Sequence, residues 1–188
     1  MMRLALLITL PSFLLLSPKL LYAEHIQMML GFQQEEISDD ISTISRTNMS
    51  SFYGEYMRYL AKDIYFSVGL STTMSIAGFK LLSFGAEGTL RYYILGRGKD
   101  VRHQGGDVSF VSHTNWSYFV GLGFTQRFIE STTLGSISRG GLKFENGVHK
   151  HWKGNYFYSG HLNYILSGLG SEDEYTSIEA YFGIGYKF

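Results

Sequence analysis

The chain has 188 residues, 22 glycines, two prolines and no cysteine, with 16 basic and 16 acidic side chains. One domain is expected at this length. The missing cysteine excludes a disulfide scaffold, a thiolate metal site and a cysteine nucleophile. Near-neutral charge argues against a nucleic-acid partner, which needs a basic surface to neutralise phosphates.

Residues 1–23 read MMRLALLITLPSFLLLSPKLLYA and hold both prolines, Pro11 and Pro18, but no glycine and no acid. A basic start at Arg3, an apolar run from Leu4 to Leu16 and a small residue at Ala23 form the layout of a secretory signal peptide. The run falls short of the roughly 20 apolar residues that a spanning helix needs. The expected organisation is a signal peptide over 1–23, cleaved after Ala23, and one exported domain over 24–188. That exported part contains no proline and carries 14 basic against 16 acidic residues.

Beyond residue 23 the recurring signal is alternation at every second residue, which means strands with two unlike faces. It predicts eight strands, at about 25–34, 49–60, 63–74, 81–95, 115–128, 141–152, 155–166 and 176–188. Ile64, Phe66, Val68 and Leu70 form one apolar face. Trp116, Tyr118, Val120, Leu122 and Phe124 form another, and Ile178, Ala180, Phe182, Ile184, Tyr186 and Phe188 a third. The opposite faces mix glycines with ionisable groups in mid-strand, which a dry soluble core would not accept. Apolar-out, polar-in strands of about 10 residues are what a transmembrane barrel requires, because closure satisfies every backbone group in lipid. The expected fold is therefore all-β, an antiparallel up-and-down transmembrane β-barrel.

The last segment, Tyr181-Phe-Gly-Ile-Gly-Tyr-Lys-Phe188, resembles the terminal strand of bacterial outer-membrane barrel proteins, and the whole chain is similar in pattern to the small OmpA/OmpX-type superfamily. The resemblance implies an outer-membrane location, contact with outer-membrane lipid and lipopolysaccharide, and delivery by the barrel assembly machinery. It also implies an assembly signal at Phe188, Tyr186, Ile184 and Phe182. No subfamily motif is present.

With both termini periplasmic, connections 35–48, 75–80, 129–140 and 167–175 face outward, and 61–62, 96–114 and 153–154 face the periplasm. The outer connections are acidic, with Glu35, Glu36, Asp39 and Asp40 in the first and Glu172, Asp173 and Glu174 in the last. They read as a solvated rim, with 35–48 and 167–175 as places for a surface ligand. Residues 96–114 are too long for a turn. A hairpin about Gly105-Gly106, pairing Val101 and His103 with Val108 and Phe110, absorbs the excess and leaves eight wall strands. Ten is the alternative, if that pair enters the wall.

Assigning the apolar faces to lipid predicts an interior set. It comprises Gln27, Gln33, Glu55, Glu87, Arg91, Arg127, Lys143, Glu145, His149, His151, His161, Asn163, Glu179 and Lys187. Its four acids and four bases balance, so the expectation is a paired polar plug, since an eight-strand lumen is just wide enough for side chains to fill and unpaired buried charge is costly. His149, His151 and His161 have spacing that a metal can use, but the expected role is hydrogen bonding, with no metal and no cofactor. Some small barrels modify lipid A, and His113, Thr114, Asn115 and Ser117 are the residues that come nearest to a site of that kind. They do not reproduce a His-x-Ser-Asn order, and no catalytic residue is assigned. The expected function is an envelope structural or surface-interaction protein, with a passive porin and then a lipid-A hydrolase as alternatives. Deleting Phe188 should lower the amount of membrane-assembled protein in cells, read by heat-dependent gel mobility; undiminished assembly would remove the terminal-strand reading.

Overall fold

The computed structural model describes residues 25–38, 43–61, 63–75, 81–96, 101–105, 108–112, 115–131, 135–167 and 174–188. The proposed signal segment and the pair His113 and Thr114 lie outside the described residues. Eight long strands form a closed barrel: β1 (His25–Ser38), β2 (Thr43–Ala61), β3 (Ile64–Met74), β4 (Leu81–Leu95), β7 (Trp116–Ser131), β8 (Gly135–His151), β9 (Tyr156–Ser167) and β10 (Glu174–Lys187). Each wall strand runs antiparallel to its neighbours, and β1 pairs with β10 to shut the seam.

Short β5 (Val101–Gly105) and β6 (Val108–Ser112) make a separate two-stranded sheet between β4 and β7. The hairpin expected in this segment is present, with His103 opposite Phe110, but Val101 lies opposite Ser112 and Val108 opposite Gly105. It does not join the wall, so the wall has eight strands and not ten.

Strand β1 shows why the chain takes this form. Its residues from His25 to Phe32 alternate without a break, His25, Gln27 and Met29 turned inward and Ile26, Met28, Leu30 and Phe32 turned outward. An exposed apolar belt built this way runs round the barrel, with Phe124 and Phe182 each about 70% exposed. Hydrocarbon is the medium in which such a surface is stable, while the inward groups find partners inside. The terminal residues continue the belt: Phe182, Ile184 and Phe188 are exposed, and the Tyr186 and Phe188 rings meet edge-on at 5.2 Å.

At the end where β1 leads into β2, the strands outrun their expected limits. β1 continues to Ser38, β2 begins at Thr43, β7 continues to Ser131 and β8 begins at Gly135. Outward residues there are polar, including Glu36, Glu130, Ser136 and Ser138. Backbone pairing persists past the level where the apolar signal stops. Most of the expected connections 35–48 and 129–140 is therefore strand.

The turns at the other end are tight. Asp63 adopts a positive φ of 64° between β2 and β3, and Gly154 one of 60° between β8 and β9. Asp and Gly are among the residues that tolerate this region.

Glycines also permit the seam. Gly183 of β10 lies opposite Met29 of β1, and a Cβ there would collide with the Met28 carbonyl oxygen and the Met29 Cα. Backbone cannot yield as a flexible side chain can. Gly183→Val should reduce the yield of closed barrel on refolding and lower the urea midpoint, measured by heat-modifiable mobility and tryptophan fluorescence. The outward-facing Gly54→Val, whose Cβ would enter open space, should leave both nearly unchanged.

Candidate functional site

The interior is layered. Toward the end where β1 leads into β2, Ile37, Ile129, Ile165 and Tyr175 pack as a buried apolar cluster, with Ile137 against it. Beneath lies a small polar layer. Gln33 accepts hydrogen bonds from Ser51 at 3.1 Å and Thr73 at 2.5 Å, and donates to Glu35 at 3.1 Å. Glu35 also takes a salt bridge from Arg46 at 3.1 Å. Glu35 was expected on a solvated rim. Instead it is almost fully buried, because alternation carries on above the belt and position 35 falls on the inward face. Burial pushes the Glu35 carboxyl above its usual range against the pull of the Arg46 guanidinium.

The centre of the lumen holds a continuous chain of alternating charge. Arg91 of β4 grips Glu55 of β2 through both terminal nitrogens, one at 2.6 Å. The same guanidinium holds Glu145 of β8, Nε to Oε2 at 2.6 Å and Nη2 to Oε1 at 2.8 Å. Glu145 in turn lies 3.6 Å from Lys143 Nζ, which contacts Glu87 of β4 at 2.5 Å. Glu87 meets Arg127 of β7 at 2.5 Å, and Arg127 reaches Glu179 of β10 at 2.7 Å. All seven side chains are buried.

The remaining strands supply further hydrogen-bonding partners: Gln27 from β1 to Glu55, Ser71 from β3 to Arg127, and His161 and Asn163 from β9 to Glu145 and Glu179. Every wall strand thus contributes a member. Charge-assisted bonds of this kind are the strong ones, and they satisfy groups that would otherwise be stranded in a low dielectric.

Glycine placement makes the contacts reachable. Gly121 of β7 sits directly between Arg91 and Glu145 in the ladder, and a Cβ there would come 3.0 Å from Glu145 Oε2. Gly85 of β4 likewise separates Ser71 from Arg127, and a Cβ there would meet Arg127 Cδ at 2.6 Å. Side chains two strands apart meet across a residue that has none.

The end of the barrel where β1 begins and β10 ends is filled by rings. Tyr59, Tyr65, Tyr93 and Phe119 pack together. His25 stacks on Tyr65 at 5.5 Å, and His149 lies against Phe157 at 4.6 Å and bonds Tyr93 at 3.1 Å. The ion chain therefore lies between an isoleucine-rich cluster and an aromatic one.

The structure brings Glu55, Glu87, Arg91, Arg127, Lys143, Glu145, Glu179 and His161 into one network. His149 is buried but belongs to the aromatic layer. His151 and Lys187, at strand ends, are only half-buried and stand apart from the ion chain. Among the described residues no group of three or more His, Asp or Glu side chains is placed to hold a metal. The alternation placed Tyr65, Phe119 and Tyr181 on the inward face, where they are buried, while the interior aromatics Tyr53, Tyr93 and Phe157 were missing from the expected set. Their signal was position on the polar face of an alternating strand, masked by their being aromatic.

A second arrangement emerges on β8 and β9. Ser159 Oγ lies 2.7 Å from His161 Nε2, and His161 Nδ1 lies 2.8 Å from Glu145 Oε1. That is the order of contacts in a Ser-His-acid relay. Its hydroxyl is enclosed in the lumen, and its acid is already held by Arg91 and Lys143.

No protein-family profile and no curated sequence matches the chain. Solved structures do. Neisserial surface protein A (NspA) aligns with a TM-score of 0.53 at 14% identity, over 87% of this chain and 97% of that one. The N-terminal β-barrel domain of Pseudomonas aeruginosa OprF aligns with a TM-score of 0.53 at 12% identity, over 88% and 98%. The chain has the fold of the small eight-strand outer-membrane barrels.

Arg91→Ala leaves Glu55 and Glu145 buried without their main cation and should cost about 3–5 kcal/mol, measured by urea unfolding in detergent micelles. Adding Glu55→Gln and Glu145→Gln to Arg91→Met should recover much of that loss. No recovery would mean that Arg91 acts through packing rather than charge.

Proposed function

We propose that this chain is an integral protein of the bacterial outer membrane, exported through the signal-like segment 1–23. Its lumen is closed, and it acts as an envelope structural or surface-interaction protein through its outer connections. The observation that carries the closed lumen is the Glu55–Arg91–Glu145–Lys143–Glu87–Arg127–Glu179 chain, capped at both ends by apolar and aromatic layers. A conducting pore needs a hydrated path, and these side chains fill the lumen with each of the four acids in contact with at least one of the three bases. The membrane location draws support from the exposed apolar belt and from the likeness in fold to outer-membrane barrels. Partners in this reading are outer-membrane lipids with lipopolysaccharide, the barrel assembly machinery acting on the terminal strand, and a surface ligand taken by the segments 35–48 and 167–175.

Planar-bilayer recording tests the closed lumen. The wild-type barrel should give no reproducible single-channel steps, whereas Arg91→Ala, which breaks the chain at its most connected member, should raise baseline leak. Regular steps from the wild type would establish the porin alternative. A hydrolase reading has one observation in its favour, the Ser159–His161–Glu145 contacts. Enclosure of the hydroxyl, and the hold of Arg91 and Lys143 on the acid, weigh against it. Lipid A from cells with and without the protein should have the same acyl pattern, and a difference abolished by Ser159→Ala would reverse that conclusion.

A further inference from the structure

Strand β8 turns Leu142, Phe144, Asn146 and Val148 outward in succession. Asn146 is exposed, and its neighbours in the ladder are Val120 of β7 and Leu162 of β9. A carboxamide is thus set among apolar groups on all four sides. It makes no hydrogen bond among the described residues. Gln126 on β7, between Phe124 and Phe128, provides the contrast: it donates to Ser138 Oγ at 2.6 Å. In hydrocarbon an unpaired amide costs several kcal/mol, and polar groups so placed serve helix or strand association when another polar group arrives at the same depth.

We infer that Asn146 marks a face of β7, β8 and β9 through which two copies of this chain pair in the membrane, the two Asn146 amides bonding to each other. An acyl chain offers no partner for the group, and lipid headgroups lie at the edge of the belt. A second copy inserted in the same sense carries Asn146 at the same depth by construction, on a two-fold axis along the membrane normal. The amide has both donors and an acceptor, so it is complementary to itself, as an isologous contact demands. Gly160, outward on β9 opposite Val148, adds no side chain of its own to this face and is flanked by the Phe182 ring and a Val148 methyl. The inference rests on the membrane location proposed above.

The chain has no cysteine, so single cysteines report directly. In lipid bilayers, Val148→Cys should give an oxidative cross-link of twice the chain mass. Phe52→Cys, exposed on β2 at the opposite side of the wall, should not. Adding Asn146→Leu should lower the Val148→Cys cross-link about threefold to tenfold, without loss of heat-modifiable mobility. Equal cross-linking at positions 148 and 52, monomer at every protein-to-lipid ratio, or no effect of Asn146→Leu overturns the pairing. An adduct in cell membranes of any other mass, with purified protein monomeric, assigns the face to a different partner and overturns the second copy as occupant. Protease protection and heat-modifiable mobility report insertion separately: a membrane-inserted monomer defeats the pairing alone, and a barrel that fails to insert defeats the membrane reading with it.

Discussion

A guanidinium held between two carboxylates, far from bulk water, is the contact on which most of this structure depends. Arg91 bonds Glu55 on one side and Glu145 on the other, and none of the three is exposed. Charges so enclosed are tolerable only when paired and hydrogen-bonded, because desolvation of each ion costs several kcal/mol. Here the pairing extends through Lys143, Glu87 and Arg127 to Glu179, so no charged member of the chain ends without an opposite partner. The wall outside shows the opposite preference: Phe124 and Phe182 stand exposed where a water-soluble protein would cover them. One sheet separates the two environments, and period-two alternation delivers each side chain to the correct one.

Pairing across a narrow lumen raises a problem of reach that glycine solves. Residues directly paired in a ladder are near neighbours, but Arg91 and Glu145 sit on strands separated by β7, and Ser71 and Arg127 on strands separated by β4. Gly121 and Gly85 occupy the intervening positions, and a side chain at either would intrude on the contact. Glycine within a strand normally weakens it. In this barrel the local cost is offset by charged contacts that span three strands and hold the wall to a single circumference.

Fold and interior were legible to different depths in the sequence. Alternation alone located all eight wall strands and the inward side of Glu55, Glu87, Arg91, Arg127, Lys143, Glu145 and Glu179, because a residue's face follows from its parity within a strand. It did not tell which acid meets which base. That depends on register between strands distant in sequence, such as β4 with β7 across the 96–114 segment. Strand ends above the belt were missed because hydropathy reports the medium and pairing does not. Glu35 was misjudged for the same reason. Interior tyrosines such as Tyr53 and Tyr93 were missed because an aromatic residue suits either face: Tyr93 is buried inside the barrel while Tyr92, one residue earlier, faces outward.

The ion chain also bears on how the barrel avoids wrong pairings. A slip of one residue in any strand exchanges its faces. On β4 it would move Glu87 and Arg91 into hydrocarbon and bring Tyr92 and Ile94 into the lumen. On β8 it would do the same with Lys143 and Glu145 while drawing in Phe144. Each error strands a charge in lipid and also leaves the partner on the neighbouring strands uncompensated, so it is penalised on both sides of the wall. A lumen filled with leucine and valine would be indifferent to such a slip on its inner side. Buried ion pairs add little to net stability compared with apolar packing, and their value in this chain lies in register: they make the native alignment of eight strands the arrangement in which every charge is answered.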